Sequence, residues 1–139
     1  MSSLAGILDT SVVIGLDEGI DREQLPLQQA ITSITLGELS VGPLVARNSD
    51  ERARRQRRLQ VIERRFADAT LAYDAVAARI FGGVMAGALQ RGRSSRTRVA
   101  DYQIAAIAIA NDLPLYTVNL DDFEAIDGLQ LMAVAISPG

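Results

Sequence analysis

Carboxylates in four separated places give this chain its chemistry. Asp9 ends the apolar run "LAGILD" and is followed by Thr10 and Ser11. Glu38 lies in "TLGELS", Asp101 precedes the apolar segment "IAAIAIA", and Asp121 and Asp122 follow the strand-like "LPLYTV". Asp9 and Asp101 are embedded among Ile, Val, Leu and Ala, so both are drawn toward the interior, where an unpaired carboxylate is costly. Several such charges around one crevice repel one another unless a cation stands between them. With oxygen donors alone, that cation would be Mg2+ or Mn2+.

The rest of the composition removes competing chemistries. The 139 residues contain no Cys and no His, and all fourteen basic residues are Arg. Disulfides, Ser-His-Asp and Cys-His hydrolysis, imidazole and thiolate metal sites, Schiff-base lysines and the P-loop lysine are therefore excluded. Each acid also has a purely structural reading. Asp9 could cap the helix that follows it, and Thr35-Leu-Gly-Glu38 has the form of a capping box. Asp101 suits a first helical turn, and Asp121 or Asp122 could cap a helix beginning at Phe123.

The elements that must carry these acids follow from periodicity and turn signals. "LAGILD" reads as a buried strand leading through Asp-Thr-Ser into a helix over "VVIGL". A strand near 31–34 precedes a helix with Thr35 as its cap and Pro43 near a bend. Residues 48–66 form a basic helix with Leu59, Ile62 and Phe66 as its apolar stripe. "ATLAYD" reads as a strand, 75–90 as a helix weakened by Gly82, Gly83 and Gly87, and 99–110 as a helix. A strand at 114–118, a short helix from about 121 and a last strand in "LQLMAVAI" complete the chain. Strands alternating with helices predict one α/β domain over 1–139, with a central, mostly parallel sheet flanked by helices. In such a sheet, residues at strand-to-helix turns converge beyond the carboxyl ends of the strands. Asp9, Glu38 and the pair at 121 and 122 are of that kind, and Asp101, at a helix start, faces the same crevice.

The ordered set "LDTSVVI", "LGEL" and "ADYQIAAIAIANDLPLYTVNLDDF" resembles the PIN domain, and within it the VapC-type toxins of bacterial toxin-antitoxin pairs. The resemblance spans nearly the whole chain. It implies a small α/β metal-dependent ribonuclease whose acid tetrad maps to Asp9, Glu38, Asp101 and Asp122. Asp122 is preferred to Asp121 because it lies three residues after Asn119 and directly before Phe123. Ser11, Thr117 and Asn119 occupy the supporting positions. The resemblance further implies Mg2+ or Mn2+ as cofactor, RNA as substrate, a homodimer, and a cognate VapB-like antitoxin that lays an apolar helix in a groove and a basic tail on the acids. A metal-dependent phosphatase and a catalytically silent PIN-like binding module are the alternatives. A phospho-receiver module also clusters acids, but this chain lacks its supporting Lys.

An acidic site needs help to hold a polyanion. The formal charge is −3, yet residues 47–65 carry eight Arg against Asp50, Glu51 and Glu63, and Arg91, Arg93, Arg96 and Arg98 lie just before Asp101. Their functional reading is phosphate contact, with Arg93 and Arg96 the candidate RNA-binding pair; their structural reading is a solvated helix face and loop. The longest apolar run, 104–110, is far short of the roughly 18 residues of a membrane span, and the N-terminus lacks the pattern of a signal peptide. The expectation is a cytoplasmic protein.

Overall fold

A computed structural model of the chain describes residues 4–92, 98–124 and 126–136. Its centre is a five-stranded sheet of β1 (Ala5–Leu8), β2 (Gln28–Thr32), β3 (Thr70–Leu71), β4 (Leu115–Thr117) and β5 (Leu131–Ala133) in the order β3-β2-β1-β4-β5. Every ladder is parallel. The one antiparallel pairing among the described residues is an isolated bridge between Ile20 and Ile136. The helices are α1 (Thr10–Gly15), α2 (Ser33–Val41), α3 (Ser49–Arg65), α4 (Ala75–Gln90) and α5 (Val99–Ala110). None is long and apolar enough to cross a membrane.

Period-two alternation sends neighbouring strand residues to opposite faces. On one face Leu8 and Tyr116 pack with Val12 and Val13 of α1, Leu39 of α2, and Leu59, Ile62 and Phe66 around α3. On the other, Ile7 and Leu115 pack with Ile104, Ala105, Ile107 and Ala108 of α5, Ala77 of α4 and Phe123. Residues 104–108 of α5 are fully buried, as expected of a helix that is apolar all round. The small side chain of Gly6 lets the Tyr116 ring lie against β1, because a Cβ there would meet ring carbon Cδ1 at 2.8 Å.

The order of elements is as read from sequence, but several boundaries differ. The second strand ends at Thr32, not 34, and Thr32 is the cap of α2: its hydroxyl accepts the Thr35 N–H at 3.2 Å. Thr35 therefore lies inside the helix, and Glu38, a full turn further on, is not part of a capping box. The strand expected at 69–74 is two residues long, because the Tyr73 N–H leaves the sheet for Ser33 Oγ at 3.1 Å and Asp74 turns to cap α4. No helix starts at Phe123; a single 3-10 turn, Leu120–Asp122, stands there instead. The last strand is limited to Leu131–Ala133. Helices α4 and α5 match the expected spans.

Candidate functional site

With β1 between β2 and β4, the carboxyl ends of the three central strands open on one crevice, and the acids arrive there by different routes. Asp9 is the residue after β1 and precedes α1, yet its side chain caps nothing. It is 4% exposed, and its Oδ2 accepts two hydroxyls, from Thr117 at 2.6 Å and Ser11 at 2.8 Å. Thr117 ends β4, so this bond ties the ends of adjacent strands 108 residues apart in sequence. Thr117 Oγ1 in turn accepts the Asn119 N–H at 3.0 Å. Asp9 Oδ1 takes no bond from the described residues. Two directed hydroxyls on one oxygen fix the orientation of the buried carboxylate.

Glu38, on the exposed face of α2, is held by a hydroxyl relay. Thr10 Oγ1 donates to Glu38 Oε1 at 2.7 Å and lies 2.8 Å from Thr35 Oγ1. Because Thr10 has one proton and gives it to Glu38, Thr35 must be the donor to Thr10. Thr32 Oγ1, 3.4 Å from Thr35 Oγ1, donates weakly behind it. The relay runs from the end of β2 to the crevice through three threonines, two of them fully buried. A cleft of about 430 Å³ adjoins it, lined by Thr10, Ile14, Glu38, Leu39 and, from α3, Arg54 and Arg58.

Asp101 lies in the first turn of α5, half-buried on the fully apolar helix below it. Its pKa is pushed up from 3.8 to about 7, first by burial and then by repulsion from Asp9, Asp122 and Glu38, against which Arg98 pulls it down. That pattern places all four expected acids in one electrostatic neighbourhood. Asp122 ends the 3-10 turn after β4 and accepts a 2.5 Å hydrogen bond from Arg98 Nη1. Asp121 is exposed and joins no ion pair among the described residues, which separates it from Asp122.

The supporting residues divide. Ser11 and Thr117 touch Asp9, whereas Asn119 contributes its backbone N–H to Thr117 and its side chain makes no capping bond. Sequence reasoning missed Thr10, read Thr35 only as a helix cap, and read Arg98 only as one of a phosphate-contacting cluster. Each carries a signal in retrospect, being adjacent to Asp9, one turn before Glu38 and one turn before Asp101.

The arginines of α3 also divide. Arg55 bridges Glu51 and the Gly42 carbonyl, Arg58 pairs with Asp17 and Glu18, and Arg52 reaches the Pro43 carbonyl. Arg47, through its backbone N–H above all, holds the Glu51 carboxyl below its usual range. These are structural ties between α3 and the segments beside it. Arg54, Arg57 and Arg64 join no ion pair among the described residues and keep the phosphate reading open. Arg93 and Arg96 lie outside the described residues.

Among the described residues no three carboxylates are grouped tightly enough to make a ready metal cage. The donor chemistry nevertheless fits a hard divalent ion: oxygen ligands only, and one carboxyl whose pKa is raised first by burial and then by its like-charged neighbours.

No protein-family model matches the chain. It is 41% identical over 127 residues to "Ribonuclease VapC5" of Mycobacterium tuberculosis strain ATCC 25618 / H37Rv, covering 89% of each protein. Among solved structures it resembles VapBC-5 of M. tuberculosis, a member of the VapBC family of toxin-antitoxin systems, at 36% identity and a TM-score of 0.78, over 94% of this chain and 98% of that one. DNA-bound VapBC from Salmonella typhimurium matches at 27% identity and a TM-score of 0.70, over 96% and 98% of the two chains.

Proposed function

From the premise that this chain belongs to the VapC family of PIN-domain ribonucleases, we propose that it is a Mg2+- or Mn2+-dependent endoribonuclease toxin, kept in check by a VapB-like antitoxin. The observation that carries the reading is the Asp101 carboxyl, raised first by burial and then by repulsion from Asp9, Asp122 and Glu38, acids of three other segments of the chain. Asp9 and Asp101 would hold the cation, with Glu38 and Asp122 binding it directly or through water. When bound, such an ion acidifies water for in-line attack on a phosphodiester and offsets charge on the phosphate oxygens.

The chain's own residues supply orientation. Ser11 and Thr117 fix the Asp9 carboxylate, and the Thr32-Thr35-Thr10 relay fixes Glu38, so neither acid has to be ordered when substrate arrives. Helix α5, apolar and fully buried over residues 104–108, backs the inner side of Asp101. Arg54, at the edge of the Glu38 cleft, meets the backbone of the RNA strand, and Arg93 and Arg96, which precede Asp101 in the sequence, are the other candidate phosphate contacts. The solved VapBC complexes among its neighbours support an antitoxin partner, whose basic tail would pair with the four carboxylates. A single-domain, cytoplasmic homodimer completes the proposal.

The test is incubation of the pure chain with total RNA in Mn2+, in EDTA, and as the Asp101→Asn variant. Cleavage in Mn2+ alone is the expected result. Cleavage by Asp101→Asn at the wild-type rate would remove Asp101 from the site.

A further inference from the structure

The cleft beside Glu38 is built for something other than a phosphate. Its floor is apolar, formed by Ile14 of α1 and Leu39 of α2. Around that floor three carboxylates, Glu18, Glu38 and Glu51, stand with three guanidinium groups, Arg54, Arg55 and Arg58, so the walls are balanced in charge. Arg55 is engaged with Glu51 and the Gly42 carbonyl, and Arg58 with Asp17 at 3.3 Å. A phosphate entering the cleft would meet Arg54, which joins no ion pair among the described residues, against the carboxylates of Glu18 and Glu38. A neutral, planar group with apolar faces and polar edges meets no such repulsion. The volume of about 430 Å³ lies in the usual range of small-ligand pockets, about 300–1,000 Å³. In an RNA strand held at Glu38, that group is an unpaired base.

Glu18 distinguishes one base from another. It lies just beyond α1, its side chain is 61% exposed, and its contact with Arg58 is 3.7 Å, too long for a hydrogen bond. Its carboxylate therefore keeps acceptor positions for a ligand. An ionised carboxylate accepts two N–H bonds side by side, and of the four RNA bases guanine alone carries two adjacent N–H donors, N1 and the 2-amino group, on one edge. We propose that the cleft between α1, α2 and α3 is the subsite for an unpaired guanine next to the scissile phosphate, its ring lying on Ile14 and Leu39 and its Watson–Crick edge on Glu18. This rests on the nuclease reading and adds base selection to it, with Arg54, at the rim, left for the phosphate.

One measurement needs no cleavage. In EDTA, guanosine 5′-monophosphate should shift the methyl resonances of Ile14 and Leu39, ribose 5-phosphate should not, and Glu18→Gln should weaken the nucleotide's binding by about tenfold, the size of a lost bidentate contact to a base edge. The other uses oligonucleotides built on a site that the wild-type chain cuts. Replacing the guanine beside the cut by an abasic residue should lower kcat/KM by about tenfold or more. Glu18→Gln should remove the preference for guanine over adenine there, while cutting the abasic substrate as wild type does. Methyl shifts of equal size from ribose 5-phosphate, cut sites that lack a flanking guanine, or a guanine preference that survives Glu18→Gln each overturn the proposal. Failure of the nuclease reading has a different signature: the guanine nucleotide binds through Glu18 and RNA stays intact.

Discussion

Replacing Asp101 by Asn keeps the shape of the side chain and removes its charge, and the electrostatics of the crevice fix what this should do to stability. The carboxyl has a pKa of about 7 in the folded protein and 3.8 when free of its surroundings. Below pH 3.8 it is protonated in both states and costs nothing. Above that the unfolded chain ionises first, so stability falls as pH rises, and the loss is complete once pH passes about 7. A rise of this size corresponds to at most about 4 kcal/mol, and solvent screening of a half-exposed group reduces it to roughly 2 kcal/mol. In EDTA, Asp101→Asn should therefore match wild type near pH 4 and exceed it by roughly 2 kcal/mol at pH 8. Urea denaturation at a series of pH values measures this directly. Saturating Mn2+ should reverse the order, since an ion bound by the folded state at a hundred times its dissociation constant adds about 2.7 kcal/mol to wild type and little to the variant. Equal pH dependence of the two proteins in EDTA would refute the convergence of the four acids on Asp101.

Three further substitutions test the frame around the site. Thr117→Val removes the shorter of the two hydroxyl bonds to the buried Asp9 carboxylate; it should cost about 1.5–3 kcal/mol in urea denaturation at pH 7 and lower the rate of RNA cleavage. Gly6→Ala drives a methyl group into the Tyr116 ring and the Pro114 carbonyl, and should lower stability by about 1–3 kcal/mol in the same assay while leaving the acids in place. Tyr102, 2% exposed, has a buried hydroxyl with no hydrogen-bond partner among the described residues, so Tyr102→Phe should be neutral or raise the melting temperature, and a marked fall would show that the hydroxyl is bonded.

The sequence by itself determined which chemistry is available and singled out the acids proposed to carry it. The absence of His, Cys and Lys left oxygen ligands and Arg, and the strand-turn-helix order put Asp9 at the end of one strand, Glu38 in the helix after the next and Asp122 in the turn after another. These are local or compositional properties, and short-range rules read them. Helix α4 was legible from its capping Asp74 and its span, and α5 from its continuous apolar run. The tertiary structure decided what depends on groups far apart in the chain. Thr32 rather than Thr35 caps α2 because β2 pairs with its neighbours as far as Thr32, and ladder registry is not a local property. Thr117 reaches Asp9 because β4 lies beside β1, and Thr10 reaches Glu38 because α1 and α2 leave the sheet side by side. Asp122 was preferred to Asp121 on motif spacing, but the physical difference between them is that Arg98 meets one and not the other. The arginines of α3 look alike in sequence. Which of them are tied to Glu51, Asp17 and Glu18, and which are left to meet a phosphate, depends on the rotation of that helix against its neighbours. That rotation is set by the packing of Leu59, Ile62 and Phe66 on the sheet.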